Sequence, residues 1–378
     1  MKDKIVDAGY LIYQGSPLLL SRKDESVGFK IRADVPGKGK ETNEMGSIYQ
    51  ENAWKVQKEV NRAILGKEAL VSKLMLAIVS GGHVLLEDIP GVGKTTLAIA
   101  FARTMGLNWN RVQFTPDVLP SDLTGFSIYQ KEREEFVYQP GAVFCNLLLA
   151  DEINRTSPKT QSALLEVMEE GQVSVDGVTR KVLQPFFVIA TQNPSGAAGT
   201  QPLPPAQMDR FLIRMSMGYP SFDDEVQMAR EAGMGRRTDN LQVLSSPLLL
   251  KAMQQEAMET YIQESMIQYI TALVCATREQ EYLETGASPR ATIALVKMAK
   301  AMAWLKGQDY VSPVEIGEVF LDVVNHRISL NTRARREKVS GKQVLMEILK
   351  TVPKPMKRDA GGKKSEQVPR ENSTRWKI

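Results

Sequence analysis

One stretch of the chain, HVLLEDIPGVGKTTLAIAFA, constrains the fold more than any other. It begins as a short apolar run typical of a buried strand, passes through a turn containing Gly91 and Gly93, and continues as an amphipathic helix. Glycines let backbone N–H groups approach a phosphate, and the N-terminus of the helix adds further donors and a favourable dipole. In such a loop Lys94 would reach the β- and γ-phosphates of a nucleotide, and the Thr95 hydroxyl would ligate Mg²⁺.

The general pattern G-x-x-x-x-G-K-[ST] fails at its first position, because Asp88 stands where the pattern has glycine. The plainer alternative is a glycine-rich turn followed by a surface lysine. Strand, turn, Gly-Lys-Thr and helix occur together here, which favours the phosphate-binding loop. The candidate nucleotide-binding residues are Gly91, Val92, Gly93, Lys94, Thr95 and Thr96.

The pattern of apolar residues predicts an α/β domain in the first part of the chain. Helical segments separate several of the strand candidates, which is typical of a parallel sheet covered by helices. The dipeptide Asp176-Gly177 lies between two alternating stretches and indicates a β-hairpin. The predicted strands are residues 83–86, 111–114, 147–150 and 186–191.

The character of the sequence changes after about residue 219, where helical periodicity replaces the alternation of strand and helix. We predict an α/β core over residues 48–219 and a smaller all-helical domain over residues 220–355. Residues 1–47 lack periodicity and form a poorly ordered extension in this interpretation. Residues 356–378 are almost without hydrophobic side chains, which predicts a solvated, disordered tail.

Two acids, Asp151 and Glu152, directly follow the apolar run 147–150. The carboxyl ends of parallel strands are where α/β folds bind ligands. Asp151 can hold Mg²⁺ through water, and Glu152 can orient or deprotonate an attacking water. An apolar run followed by Asp-Glu is a weak signal alone, but it gains weight downstream of a phosphate-binding loop.

Three further side chains fit the same chemistry. Asn193 follows the predicted strand 186–191 and can position the attacking water, although Asn-Pro also occurs in plain turns. Arg210 and Arg290 carry guanidinium groups suited to phosphate charge, whereas isolated arginines are usually surface residues. Arg155, just after the two acids, is a further candidate for contact with a neighbouring subunit.

Six motifs, in chain order, resemble those of the MoxR family of AAA+ ATPases. They are GHVLLEDIPGVGKT, QFTPDVLPSDLTG, LLLADEINR, IATQNP, LPPAQMDRF and GASPRAT. The resemblance covers about residues 48–355 and implies a AAA+ P-loop domain followed by a helical lid. One departure is Pro205, which precedes Ala206-Gln207 where relatives usually have glutamate.

The resemblance assigns a role to each candidate residue. It matches Gly91, Gly93, Lys94 and Thr95 to Walker A, Asp151 and Glu152 to Walker B, Asn193 to sensor 1, Arg210 to the arginine finger, and Arg290 to sensor 2. Residues 125–144 resemble the insert of the family within helix 2, and residues 171–184 its hairpin before sensor 1.

The resemblance also implies how such a protein works. ATP and Mg²⁺ are its ligands, and it assembles with itself as a ring, a hexamer. Arg290 would contact the γ-phosphate in its own subunit, and Arg210 would complete the site of the neighbour. Relatives act as chaperone-like ATPases that remodel or mature protein complexes, sometimes during metal cofactor insertion and often with a partner carrying a von Willebrand factor A domain.

Two other functions remain open from the sequence. A nucleic-acid motor shares this fold, but the chain has no helix-turn-helix signature, zinc finger or aromatic-rich strand platform. The formal net charge of +4 also gives it little support, because residues 356–378 contain 7 basic and 3 acidic residues and so carry the whole excess. A nucleotide-gated scaffold without turnover gains slight support from Asp88, while Glu152 and Asn193 argue against it.

The composition of the chain indicates its structural class and the cellular compartment that we expect. With 43% hydrophobic and 24% charged residues, the chain is excluded from the disordered and coiled-coil classes. Cys145 and Cys275, the only cysteines, are too few for a disulfide framework and fit a reducing compartment. The absence of a signal peptide and of any apolar stretch of about 18 residues predicts a cytoplasmic protein without a membrane span.

Overall fold

Helices and strands alternate through the first part of the chain, and helices dominate the rest. The structure, a computed structural model, describes residues 46–87, 91–192, 203–231 and 237–355, which belong to one structural unit. Its strands are β1 (Val84–Glu87), β2 (Trp109–Gln113), β3 (Phe126–Gln130), β4 (Glu135–Gln139), β5 (Leu147–Asp151), β6 (Gln172–Val175), β7 (Val178–Lys181), β8 (Phe187–Gln192), β9 (Ile213–Met215), β10 (Leu283–Thr285) and β11 (Ser329–Leu330).

The α-helices follow the same chain order. They are α1 (Ile48–Ala63), α2 (Glu68–Val79), α3 (Lys94–Thr104), α4 (Pro120–Thr124), α5 (Pro158–Glu170), α6 (Pro205–Met208), α7 (Phe222–Arg230), α8 (Pro247–Glu259), α9 (Glu264–Ala276), α10 (Pro289–Leu305), α11 (Pro313–Val324), α12 (Thr332–Arg336) and α13 (Gly341–Thr351). None of them is both long enough and apolar enough to cross a lipid bilayer within the described ranges.

A parallel sheet with the strand order β2-β5-β8-β1-β9 forms the centre of the α/β part. The predicted parallel sheet and α/β class are confirmed, and the four predicted strands lie within two residues of their predicted bounds. β9 is not among the predicted strands, because three residues are too short for a recognisable strand pattern. Because every strand is parallel, all the carboxyl ends lie along one edge of the sheet.

The two faces of the sheet are packed by different helices, because successive strand residues point to opposite sides. Leu147 and Leu149 of β5 join a core shared with α1, α2, α3 and the helices of the lid. Leu148 and Ala150 point the other way, into a second core to which α5 contributes Leu164, Leu165, Val167 and Met168. One face of the sheet is therefore packed continuously with the lid.

Two antiparallel hairpins lie where the sequence predicts the helix-2 insert and the hairpin before sensor 1. They are β3–β4 and β6–β7, and the turn of the second contains Asp176-Gly177 as predicted. The hairpins touch, since the Ser127 hydroxyl donates to Asp176 Oδ2 at 2.6 Å. The guanidinium of Arg180 also lies 3.7 Å from the centroid of the Tyr138 ring, a cation–π contact.

Residues 220–355, predicted as an all-helical lid, contain the helices α7 to α13, with one addition. β10 and β11 form a short antiparallel pair that the all-helical prediction did not include. Leu283 pairs with Leu330 in it.

The capping box of α11 fixes the start of that helix, because Glu315 accepts from the Ser312 N–H at 3.0 Å.

Several predictions fall on parts of the chain outside the described residues. Asp88 and Asn193 are among them, as are residues 1–45 of the predicted extension and the predicted tail, 356–378. The boundary at residue 219 stays a prediction.

His83 joins the sheet to α5 as a half-buried ring. The Val188 N–H donates to His83 Nδ1 at 3.0 Å, and His83 Nε2 donates to the Met168 carbonyl at 2.9 Å. Burial lowers the pKa of His83 from 6.5 to about 4. Between these two values the unfolded chain binds a proton that the folded chain does not.

We therefore expect His83 to make stability depend on pH. Its contribution is fully present above pH 6.5 and is lost as the pH falls towards 4, with a slope of about 1.4 kcal/mol per pH unit. Denaturant unfolding of the wild type and of His83→Gln at several pH values measures the difference in slope. An identical pH dependence for the two proteins would contradict this assignment.

Candidate functional site

Two glycines shape the turn between β1 and α3. Gly91 and Gly93 have φ values of 87° and 96°, in the left-handed region that side chains rarely adopt. Gly93 is the N-cap of α3, so that the helix begins at Lys94, whose residue surface is 7% exposed. The first backbone N–H groups of a helix have no acceptor within it and bind anions well.

A pocket of about 680 Å³ opens beside this turn. Small-molecule sites typically have volumes of roughly 300–1,000 Å³, so a nucleotide fits in size. The predicted residues Gly91, Val92, Gly93, Thr95 and Thr96 line it. The rest of its wall comes from the α1–α2 connection, β2 and the chain after β9, with Ile64, Leu65, Lys67, Trp109, Arg111, Met217 and Pro220 among the lining residues.

Asp151 ends β5, the strand between β2 and β8, at the carboxyl edge of the sheet. Its Oδ1 accepts from the Thr191 hydroxyl at 2.6 Å, across the neighbouring strand. Its Oδ2 accepts from Nη2 of Arg111 at 2.7 Å, so both oxygens are hydrogen-bonded in this conformation. Arg111 also lines the pocket, which brings a cation to the carboxylate proposed from the sequence as the Mg²⁺ ligand.

Glu152 has a left-handed backbone, with φ 59° and ψ 46°. Such a conformation costs a non-glycine residue about 1–3 kcal/mol and often marks a functional position. The Glu152 N–H donates to the Thr191 hydroxyl at 2.9 Å, which fixes the turn. Arg155 pairs with Glu152 Oε2 at 2.8 Å. The expected reach of Arg155 into a neighbouring subunit stays a prediction.

Arg210 and Arg290 lie together on one acid, Glu169 at the end of α5. Arg210 Nε lies 3.0 Å from Glu169 Oε2, at an angle that makes an ion pair and not a hydrogen bond. Arg290 Nη2 pairs with Glu169 Oε1. Arg210 follows α6, where Pro205 occupies the first turn, a position that proline fits.

These two arginines line a separate pocket of about 220 Å³. Among the described residues, none lines both this pocket and the larger one beside the glycine turn. Arg290 is therefore grouped with the predicted finger, Arg210. Arg290 does not line the larger pocket, and its contact with the nucleotide of its own subunit, implied by the resemblance, stays a prediction.

The geometry can be compared with known proteins. Residues 83–213 match the model of the "ATPase family associated with various cellular activities (AAA)", and residues 275–348 match the "AAA lid domain". Chaperone MoxR1 of Mycobacterium tuberculosis is 42% identical over 306 residues, which cover 79% of this chain and 81% of that protein. The chain belongs to the MoxR family of AAA+ ATPases.

Two other relatives agree with this placement. YeaC of Bacillus subtilis, described as an uncharacterized protein, is 44% identical over 306 residues, or 81% of this chain and 96% of that protein. A crystal structure of a protein from Cytophaga hutchinsonii superposes with a TM-score of 0.76 at 40% identity, covering 82% of this chain and 96% of the other. The MoxR resemblance seen in the motifs is thus confirmed over most of the chain.

Sequence reasoning missed the partners of the predicted residues. Arg111 and Glu169 carry no motif of their own, and their contacts join segments 40 and 121 residues apart. The signal that could have pointed to Arg111 was its charge within a predicted strand. The role of Asn193 in this MoxR-family chain stays a prediction, since it lies outside the described residues.

The Thr191 hydroxyl yields a test of the site as a structure. Thr191→Val preserves the shape of the side chain but leaves Asp151 Oδ1 and the Glu152 N–H without this partner. We expect a loss of about 1–3 kcal/mol in the free energy of unfolding. Thr271→Val is the matched control, because the exposed Thr271 hydroxyl only donates to the Ile267 carbonyl of its own helix. Equal destabilisation of the two variants would count against the bridging role.

Proposed function

We propose that this chain binds ATP with Mg²⁺, hydrolyses the ATP in a ring of identical subunits, and uses the cycle to remodel or mature protein complexes. The observation that carries the proposal is that the acidic and the basic candidate residues lie in two separate places. The carboxylates Asp151 and Glu152 lie at the sheet edge with the glycine turn, while Arg210 and Arg290 line another pocket. A site of this kind is complete only when two subunits meet.

The larger pocket would take the nucleoside triphosphate, with Lys94 and Asp151 acting from beside its lining. The glycine turn and the start of α3 would hold the phosphates, with Lys94 at the β- and γ-phosphates. Ile64, Leu65 and Met217 form an apolar wall suited to a base. Thr95 and Asp151 offer the oxygen donors that Mg²⁺ prefers. When bound, Mg²⁺ would neutralise part of the phosphate charge.

Glu152 is the proposed general base. Its backbone is left-handed, and the Thr191 hydroxyl accepts from its N–H. From there its carboxylate would accept a proton from the attacking water, which Asn193 would help to orient. The pairing of Glu152 with Arg155 holds the base in a defined rotamer before substrate binds.

Arg210 and Arg290 are proposed to act as a pair on the nucleotide of a neighbouring subunit. In the free chain Glu169 supplies the anion that both guanidinium groups contact. A γ-phosphate carries more negative charge than one carboxylate and accepts bidentate contacts, so it would compete for both arginines. Arginines supplied in this way stabilise the charge of the transition state.

The cellular role is proposed from the relatives. The name of the Mycobacterium tuberculosis relative describes it as a chaperone, and we propose the same class of activity here. A hexameric ring, a protein client, a partner carrying a von Willebrand factor A domain, cofactor insertion and a cytoplasmic location all belong to this proposal. A nucleic-acid substrate does not belong to it.

The general base is tested with Glu152→Gln. We expect ATP affinity within about twofold of the wild type and a fall in kcat of at least about 100-fold, because the amide cannot accept the proton. Fluorescent-nucleotide binding and steady-state phosphate release measure the two quantities. Glu132→Gln, on an exposed hairpin turn, is the control, and Lys94→Ala should lose binding itself. Turnover near the wild-type rate in Glu152→Gln would remove Glu152 from this role.

The trans arrangement is tested by mixing two inactive variants. Lys94→Ala subunits keep both arginines but do not hold nucleotide, whereas Arg210→Ala subunits hold nucleotide but lack one arginine. Each variant alone should have kcat reduced on the order of 10³-fold. Mixed rings place the intact arginines of a Lys94→Ala subunit next to the nucleotide-loaded site of an Arg210→Ala subunit. ATP turnover should therefore reappear and rise with the fraction of such neighbouring pairs. No recovery in rings shown to contain both subunits would rule out action across the interface.

A further inference from the structure

A buried arginine of the lid, Arg327, holds the segment that carries Arg210. Arg327 Nε donates to Asp209 Oδ1 at 2.7 Å, and Nη2 donates to the carbonyls of Phe211 at 2.7 Å and Asp209 at 3.2 Å. Nη1 donates to the Leu212 carbonyl at 3.1 Å and to that of Val323 in α11. All the N–H groups of the guanidinium thus donate hydrogen bonds, and most of these bonds go to residues 209–212.

The burial of this group shows that the contact is specific. The side chain of Arg327 is 3% exposed and that of Asp209 is 15% exposed. Burial lowers the pKa of Arg327, and the carboxylate of Asp209 opposes that shift. A buried cation is tolerated only with a partner and full hydrogen bonding. Lysine cannot replace it, because a single ammonium does not match the planar arrangement of these acceptors.

Asp209 extends the contact to the second arginine. Its Oδ2 accepts from the Ser288 hydroxyl at 2.7 Å. Ser288 is the N-cap of α10, and its oxygen also accepts from the Arg290 N–H at 3.1 Å. One carboxylate therefore joins the backbone of Arg210, the buried Arg327 and the start of the helix that presents Arg290.

The two arginines themselves are held more loosely. Their side chains are 31% and 48% exposed, and both meet the half-exposed acid Glu169. Their common position thus depends on the backbones that carry them, and these are tied together at Asp209. A contact that only stabilised the lid would not need to link both of these segments.

We propose that Arg327 is a positioning residue that, through Asp209 and Ser288, fixes Arg210 and Arg290 as a pair for the phosphates of the neighbouring subunit. This role of Arg327 rests on the proposed action of the two arginines on the nucleotide of the neighbouring subunit. It adds the residue that couples the lid to that action. Arg327 lines the same pocket as the two arginines, but protein acceptors take all five of its N–H groups, so none is left for a phosphate. A change in lid position would reach the neighbouring active site through this contact.

The first test separates positioning from nucleotide binding. Arg327→Lys keeps the charge but loses most of the fork, so we expect kcat to fall about 10–100-fold, since small misplacements of reacting groups have effects of this size. KM and nucleotide Kd should stay within about twofold, because the larger pocket contains neither Arg327 nor its partners. Arg333→Lys is the matched control, an exposed arginine of the lid paired with Glu281 and Glu337. A loss of nucleotide affinity equal to the loss in kcat would overturn the proposal.

The second test is recovery in mixed rings. An excess of Lys94→Ala subunits supplies a correctly held arginine pair to Arg327→Lys subunits, whose own nucleotide sites are intact, so activity should recover several-fold. Ser288→Ala, which removes the contact with Asp209 and the side-chain cap of α10 but keeps Arg327, is the second variant if Arg327→Lys folds poorly, and it should show the same recovery. Recovery of Arg210→Ala but of neither positioning variant would overturn the role of Arg327 and leave the proposed function standing. If Arg210→Ala also fails to recover, the trans arrangement falls and this role falls with it.

Discussion

The parallel register at the centre of the sheet is the constraint on which the site depends. β5 lies beside β8, with Ala150 opposite Ala190, and β8 lies beside β1, with Thr191 opposite Leu86. The strands therefore end together, and the Thr191 hydroxyl reaches both Asp151 and the Glu152 N–H. A slip of one residue would turn these side chains to the other face of the sheet.

A second group of charges lies away from that edge and depends on the lid. Asp209 links Arg327 and Ser288 from two parts of the lid to the segment that follows α6. The core continues without interruption from the sheet face into the lid helices. This packing holds segments that are distant in sequence in fixed relative positions. In the proposed function, one subunit thus contributes acids and a phosphate-binding turn, and the next contributes a pair of arginines.

Much of this architecture follows from local sequence. The strand, glycine turn and helix around Lys94 and the hairpin turn at Asp176 are patterns of short range, and each was predictable. The pairing of Arg290 with Glu169, 121 residues away, was not, because it depends on how the lid packs on the sheet. For the same reason the sequence motifs pointed to Arg210 and Arg290 but not to Arg327, whose proposed role depends on what surrounds it.

The claim that an active site forms between subunits is tested most directly by ATP turnover as a function of protein concentration. The rate per subunit is measured across a dilution series while mass photometry reports the assembly state of the same samples. The account predicts that the rate per subunit rises steeply as the ring forms and then levels off. A rate per subunit that stays constant down to concentrations where the protein is monomeric would contradict it.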